Sequence, residues 1–142
     1  MNKIEHIGIA VKDLEASNLL FEKLLGTAHY KIEEVASEGV RTSFFKTGKN
    51  KIELLEALGD NSAIARFLEK RGEGVHHIAF AVNDIAAEIK RLQAEGFTVL
   101  NEEPKKGADN KLVTFLHPKS ANGILIELCQ EIPFQTESSS NF

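Results

Sequence analysis

An internal repeat constrains this chain more than any other feature of its sequence. Residues 6–14 read HIGIAVKDL, and 71 positions later residues 77–85 read HIAFAVNDI. A second pair of motifs, IELLE at residues 52–56 and IELCQ at residues 126–130, is offset by 74 positions, so the register drifts by three residues within the module. Self-similarity of this kind indicates two copies of one supersecondary unit that fold alike and share a core.

Each half of the chain predicts the same order of elements, a strand, a helix and three strands. The opening strands, residues 4–11 and 75–82, alternate between large apolar and small or polar side chains with a period of two. Asp13 and Asp84 follow them and predict helix N-caps, because a carboxylate can accept a bond from a free amide of the first turn. The other predicted strands are residues 30–35, 40–46, 51–56, 97–100, 112–117 and 123–130.

A short extra helix over residues 63–70, capped by Asn61 or Ser62, separates the two halves, and polar residues 101–111 predict a loop. The sequence therefore predicts an α+β fold in which two βαβββ modules, about residues 3–58 and 74–131, form one curved mixed sheet around a single metal site. Both modules belong to one domain, residues 1–132. The Ser-rich, polar residues 133–142 predict a flexible tail.

The parity of the opening strands predicts which side chains face away from the helices. His6 shares its face with the small residues Gly8 and Ala10, which leave room for a cavity, while the large apolar residues lie on the opposite face. His77 has the same position in the second half. By the same alternation, the preceding His76 is expected to face the other way and to be structural or to support the site from behind.

Two carboxylates lie on equivalent faces of the IEL motifs, and together with the two histidines they predict a metal site. The four predicted ligands are His6, Glu53, His77 and Glu127. A single His or Glu on a strand is more often structural or solvated, but here both types recur in both halves. Burying these groups without a cation would be costly. Imidazole and carboxylate ligands suit Co²⁺, Zn²⁺, Ni²⁺ or Mn²⁺.

Net charge, the length of the apolar runs and the lack of several sequence motifs argue against a number of functional classes. The net charge is −4 and the pI is about 5.7, which gives no reason to expect nucleic acid or an anionic membrane as partner. We expect no membrane span and no secretory signal, because the apolar runs are short and no basic segment leads into one. The single cysteine, Cys129, fits a reducing cytoplasm. No Gly-x-Ser-x-Gly elbow, phosphate loop or dinucleotide fingerprint occurs.

Several segments resemble the methylmalonyl-CoA epimerase family of the glyoxalase/vicinal-oxygen-chelate superfamily. The likeness spans roughly residues 3–131. The His-Ile and Ile-Glu-Leu motifs are common to the superfamily, whereas the double histidine at 76–77 and LHPK at 116–119 are more particular to the epimerases. Lactoylglutathione lyases usually carry an Asp-Pro-Asp-Gly turn before the last ligand Glu, where this chain has HPKSANG. The segments that carry the resemblance are residues 6–14, 39–45, 51–56, 74–80, 115–119 and 123–127.

This resemblance implies epimerisation at the α-carbon of an acyl-CoA, methylmalonyl-CoA, by a homodimeric enzyme with a divalent cation, most often Co²⁺. It implies that Glu127 is an acid/base group as well as a ligand. Family members often place a second acid/base Glu two residues before the Gly of the Gly-Val strand. Here that position is Ser37, and the carboxylate is one residue later, at Glu38. A one-residue shift within a strand reverses the face, so Glu38 reaches the site only if a bulge or loop restores its direction.

Three other functions are compatible with the fold. A glyoxalase I-like lactoylglutathione lyase would use the same ligand types and also remove a proton next to a carbonyl. A binding protein of the drug-sequestering kind is disfavoured because such relatives tend to lack the metal ligands. An iron dioxygenase is disfavoured because its site uses two histidines and one carboxylate, and a fourth ligand is present here.

Overall fold

A computed structural model describes residues 1–133 and contains one eight-stranded, curled mixed sheet with three α-helices. Residues 134–142, nearly all of the predicted flexible tail, lie outside the described residues. None of the helices in residues 1–133 is long and apolar enough to cross a membrane. The elements are β1 Lys3–Ala10, α1 Leu14–Leu25, β2 Lys31–Val35, β3 Val40–Thr47, β4 Asn50–Ala57, α2 Ala63–Arg71, β5 Gly74–Ala81, α3 Ile85–Ala94, β6 Lys105–Lys106, β7 Lys111–Leu116 and β8 Ile126–Glu131.

The sheet confirms the predicted α+β fold and places the two modules side by side. The strand order is β2-β3-β4-β1-β5-β8-β7-β6. Within each module the opening strand pairs in parallel with the closing strand, β1 with β4 and β5 with β8. The modules meet where β1 pairs antiparallel with β5, and Ile7 lies opposite Ile78 at the centre of this seam. All four predicted metal ligands lie on these four central strands.

The seam between β1 and β5 contains two β-bulges related by the internal repeat. The pairing passes from Ile4 to His6 in β1 and so leaves out Glu5. It leaves out His76 in β5 in the same way. These two residues are 71 positions apart, which is the offset of the repeat. Because a bulge redirects side chains locally, Glu5 and His76 each contact the histidine that follows them.

Strict alternation therefore fails at His76, and its predicted orientation is wrong. Nδ1 of His76 lies 2.9 Å from Nδ1 of His77, and both rings line the same cavity. The bulge is the physical reason, since one extra residue in one strand shifts the parity of its neighbours. Sequence periodicity does not reveal the extra residue, because the bulge depends on the partner strand.

The large apolar residues face the helices as predicted. Leu14 of α1 packs against Val11, Phe45 and Leu54, and these four residues are at most 3% exposed. In the second module, the buried residues of α3 pack against β7 and β8, and they are Ile85, Ile89 and Leu92. Helix α2 lies on the other face, where Ile64 packs with Ala10, Val40 and Leu55.

The strand predicted at residues 97–100 is not formed. Val99 makes only an isolated bridge to Leu116. The apolar residues Phe97 and Val99 instead pack against the α3 cluster, so their alternation reflects packing and not a ladder. The sixth strand is the two-residue β6, Lys105–Lys106, which lies inside the predicted loop and pairs with β7.

Each module anchors the first turn of its long helix from two sides. Oδ1 of Asp84 accepts a hydrogen bond from the amide of Ala87, and the side chain of Gln130 on β8 accepts one from the amide of Ile85. In the first module, the side chains of Asp13 and Glu56 accept hydrogen bonds from two amides in the first turn of α1, those of Ala16 and Leu14. The short helix α2 is capped by Ser62 rather than Asn61. The predicted caps are therefore confirmed.

We expect Asp84→Ala and Asp13→Ala each to lower the free energy of unfolding by about 1 kcal/mol, because an amide of the first turn loses its acceptor. The caps lie in different modules, so the double variant is expected to lose about 2 kcal/mol. Urea denaturation followed by circular dichroism measures both. Asp60→Ala, at an exposed carboxylate in the loop before α2, is the control, and an equal loss there would contradict the capping role.

Candidate metal centre

Three of the four predicted ligands meet in one buried cluster. The two histidines, His6 from β1 and His77 from β5, place their Nε2 atoms 3.0 Å apart. Oε1 of Glu127 from β8 lies 3.1 Å from Nε2 of His77 and 3.7 Å from Nε2 of His6. All three residues are at most 6% exposed. Ligands about 2.1 Å from a common cation lie roughly 3 Å apart at right angles, so these separations suit a divalent metal.

Glu53 approaches the same histidine from its other side. Its Oε2 lies 3.1 Å from Nδ1 of His6, the ring nitrogen that faces away from His77. Among residues 1–133, Glu53 belongs to a second cluster with His6 and Glu5 and not to the first. It is 5% exposed and lines the same cavity as the three clustered ligands. Its role as the fourth ligand remains a prediction.

Glu5 is also a member of this site, although no motif of the sequence singles it out. Its Oε1 lies 2.6 Å from Nδ1 of His6, and its Oε2 lies 2.8 Å from Nζ of Lys51. Burial favours the neutral carboxyl, but the hydrogen bonds and charges of His6 and Lys51 outweigh it and lower the pKa of Glu5 to about 2. The repeat offers one signal for it, since Glu5 holds the position that His76 holds in the second module.

The buried carboxylates give His6 an unusual protonation state. Burial favours its neutral form, but the charge of Glu53 and the hydrogen bonds with Glu127 and Glu5 outweigh this and raise the pKa of His6 to about 10. For Glu53 burial is itself the cause of the shift, because it raises the pKa of this carboxyl to about 7 although the charge of His6 opposes it. In the protein alone, therefore, a proton on His6 partly balances the surrounding negative charge.

The pKa of Glu127 is shifted in the opposite direction from that of Glu53. Burial favours its protonated form, but hydrogen bonds with His6 and His77, together with their charges, hold its pKa well below the usual value. A buried, ionised carboxylate between two imidazoles needs a compensating cation. The nitrogen and oxygen donors fit a borderline or hard divalent ion, and no thiolate takes part. The residues present therefore fit the implied metal.

The ring nitrogen Nδ1 of His77 contacts the imidazole of His76, which is neutral. Burial and the neighbouring His77 lower the pKa of His76 to about 4. The His76 ring also stands edge-on to Phe67, with ring centroids 5.0 Å apart. The two central histidines therefore have different partners, a carboxylate for His6 and an uncharged imidazole for His77.

The cluster opens into a cavity of about 320 Å³ between the two modules. Glu38 lines this cavity, because a short 3₁₀ turn, Ala36–Glu38, ends β2 and removes it from strand parity. Its Oε2 lies 2.9 Å from Nζ of Lys105, which comes from the second module. Much of the remaining wall is apolar and includes Val35, Val40, Leu55, Ile64, Leu100, Val113, Phe115 and Leu125.

Comparisons with known proteins agree with this architecture. Residues 5–115 match the model of the glyoxalase/bleomycin resistance protein/dioxygenase superfamily. The ethylmalonyl-CoA/methylmalonyl-CoA epimerase of Cereibacter sphaeroides is 44% identical over 132 residues, which is 92% of this chain and 98% of that protein. The human mitochondrial methylmalonyl-CoA epimerase is 39% identical over 131 residues, which is 92% of this chain and 74% of that protein.

A solved structure is equally similar along its length. A variant of the Streptomyces coelicolor methylmalonyl-CoA epimerase, in complex with 2-nitronate-propionyl-CoA, superposes with a TM-score of 0.88 at 34% identity. The match covers 96% of this chain and 99% of that one. The chain therefore belongs to the glyoxalase/bleomycin resistance protein/dioxygenase superfamily and, within it, to the family of the methylmalonyl-CoA epimerases.

Proposed function

We propose that this chain is a methylmalonyl-CoA epimerase, which interconverts the (R) and (S) forms by removing and returning the α-proton. The observation that carries the proposal is one cavity lined by Glu127 and Glu38, carboxylates from different modules, beside the His6–His77 pair. The names of the relatives and the acyl-CoA analogue in the Streptomyces coelicolor complex support this substrate class.

The proposed metal ligands are His6, His77 and Glu127, with Glu53 as the fourth. The bound ion would supply a Lewis acid that stabilises negative charge on the thioester oxygen as the α-proton leaves. Co²⁺ is the ion that the family resemblance favours. For His6, His77 and Glu127 the supporting observations are donor separations of 3.0, 3.1 and 3.7 Å and the burial of all three residues. For Glu53 the support is its burial and its place in the wall of the same cavity.

Two carboxylates are needed because inversion requires a proton to leave one face of the α-carbon and another to arrive on the opposite face. Glu127 lines the cavity beside the two histidines, and in this scheme its carboxylate accepts the proton on one face of the α-carbon. Glu38 extends from the other module, and its side chain is 35% exposed, which lets it exchange protons with solvent. The apolar wall limits access of water to the planar enolate of the substrate.

We also propose a homodimer in the cytoplasm. Three leucines on the outer side of α1 support the dimer, because each is more than 60% exposed and they form an apolar surface that a second copy could cover. They are Leu19, Leu20 and Leu24.

Glu38→Gln tests the two-carboxylate scheme in D₂O. We expect epimerisation to fall by at least about a hundredfold, while one epimer still exchanges its α-proton because Glu127 can remove and return it on the same face. Chiral chromatography and mass spectrometry of methylmalonyl-CoA measure the two rates.

Glu34→Gln is the matched control, since this carboxylate lies on β2 and is 63% exposed outside the cavity. Full epimerisation by the Glu38 variant would contradict its role. Turnover of a glutathione hemithioacetal, without α-exchange of methylmalonyl-CoA by the wild type, would favour the lactoylglutathione lyase alternative.

Gly8→Val should weaken metal binding while the fold persists. A Cβ at this position would lie 2.2 Å from Cε1 of His77, so the ring must leave its place beside His6. We expect the metal dissociation constant to rise about tenfold or more, as it does when a ligand loses its orientation. Competition with a chelator measures it. The control is Gly48→Ala in the β3–β4 turn, where added strain lowers stability and affinity should stay unchanged.

Metal affinity should increase with pH. The pKa of His6 is raised from 6.5 to about 10 in the metal-free protein, so the stability that its proton contributes is complete below 6.5 and is lost as pH rises through 10. A cation must displace that proton. The apparent dissociation constant is therefore expected to fall about tenfold per pH unit from about pH 7.5 to 9. Chelator competition across this range checks it, and a flat profile would exclude His6 as a ligand.

A further inference from the structure

A series of contacting polar and charged side chains, buried at His6 and Glu5 and partly exposed at Asp109, extends from His6 to the opposite wall of the cavity. It begins at Nδ1 of His6, 2.6 Å from Oε1 of Glu5, and continues from Oε2 of Glu5 to Nζ of Lys51 over 2.8 Å. Nζ of Lys51 then lies 2.5 Å from Oδ2 of Asp109. The side chains of Glu5 and Lys51 are only 7% and 11% exposed, so water screens these contacts little.

Asp109 belongs to the segment that forms one wall of the cavity. It lies in the 3₁₀ turn Ala108–Asn110, and its φ of 59° is in the left-handed region. Two further contacts hold the turn in place, since its carboxylate lies 2.7 Å from Nζ of Lys31 and its amide donates to Glu33 over 2.9 Å. Other residues of the segment that line the cavity are Leu100, Asn101, Lys105, Gly107 and Ala108.

Three lysines contact the carboxylate of Asp109, and they differ in their second partner. Lys111 lies farthest from it, at 3.7 Å, and its other carboxylate contact is Glu131. Lys51 bonds both Asp109 and Glu5, whereas the carboxylates that Lys31 contacts are Asp109 and Glu33. Among the lysines of residues 1–133 that contact Asp109, only Lys51 therefore connects the cavity segment to the histidine through Glu5.

This arrangement is absent from the second module. The equivalent of Glu5 is the neutral His76, and the equivalent of Lys51, 74 positions later, is Leu125. The series of contacts is therefore an addition to the repeat and not a consequence of it.

We propose that Lys51 and Asp109 are positioning residues that hold His6 in its metal-binding orientation through Glu5. Glu5 accepts a hydrogen bond from Nδ1 of His6, which leaves the Nε2 lone pair free for a cation. Lys51 fixes the second oxygen of Glu5 and so keeps this carboxylate from turning to compete with the proposed ligands. The inference rests on the proposed metal site and is independent of the choice of substrate.

Binding of Co²⁺ to the full-length protein tests this, with the dissociation constant measured by chelator competition. We expect Lys51→Met to weaken binding about tenfold and Asp109→Asn to weaken it less, as for other residues that orient ligands. The direction in which Lys51→Met changes the Co²⁺ dissociation constant is decisive, because removal of a positive charge near a cation would by itself tighten binding.

Lys31→Met is the matched control, since it removes a lysine from the same aspartate. It should loosen the segment, seen as faster hydrogen exchange at residues 107–110, and change the Co²⁺ dissociation constant by less than about twofold. Unchanged or tighter binding by folded Lys51→Met overturns the positioning role, as does equal weakening by Lys31→Met. If Lys51→Met does not fold, unchanged binding by Asp109→Asn overturns it. Failure of the wild type to bind Co²⁺ would overturn the proposed metal site itself.

Discussion

The burial of three carboxylates and two imidazoles beside the seam between the modules is the constraint on which the rest of this structure depends. Each ionised group removed from water needs a compensating charge or several hydrogen bonds, or it will not remain ionised. Here the partners are arranged in pairs, with His6 between Glu5 and Glu53, and His77 beside Glu127. A divalent cation is the natural completion of such a set, and this requirement connects the fold to the proposed chemistry.

The seam also explains why two modules are needed. Neither module alone contains both histidines, and the ladder between β1 and β5 brings their Nε2 atoms to 3.0 Å. The proposed acid/base groups are divided in the same way, with Glu38 in the first module and Glu127 in the second. A substrate held between the modules is therefore accessible from two sides, as inversion at a carbon atom requires.

The repeat is symmetric in its backbone but not in its chemistry. Both opening strands bulge one residue before the histidine, yet one bulge presents the ionised Glu5 and the other the neutral His76. A carboxylate partner makes an imidazole a more basic ligand than a neutral partner does. The two halves thus share one framework, while single substitutions on it give each histidine different surroundings.

The sequence by itself determined the modules, the helix caps and the strand faces of the four predicted ligands, which are His6, Glu53, His77 and Glu127. Period-two alternation and capping depend only on residues that are neighbours in the chain, and both patterns occur in each half of the repeat. Only the tertiary structure decided the features that depend on a partner strand or on packing. Among these are the two bulges, the inclusion of Glu5, the absence of a strand at residues 97–100 and the direction of Glu38, which a single 3₁₀ turn sets. An extra residue in a strand has no signature in that strand's own periodicity, since the bulge exists only relative to the neighbouring strand.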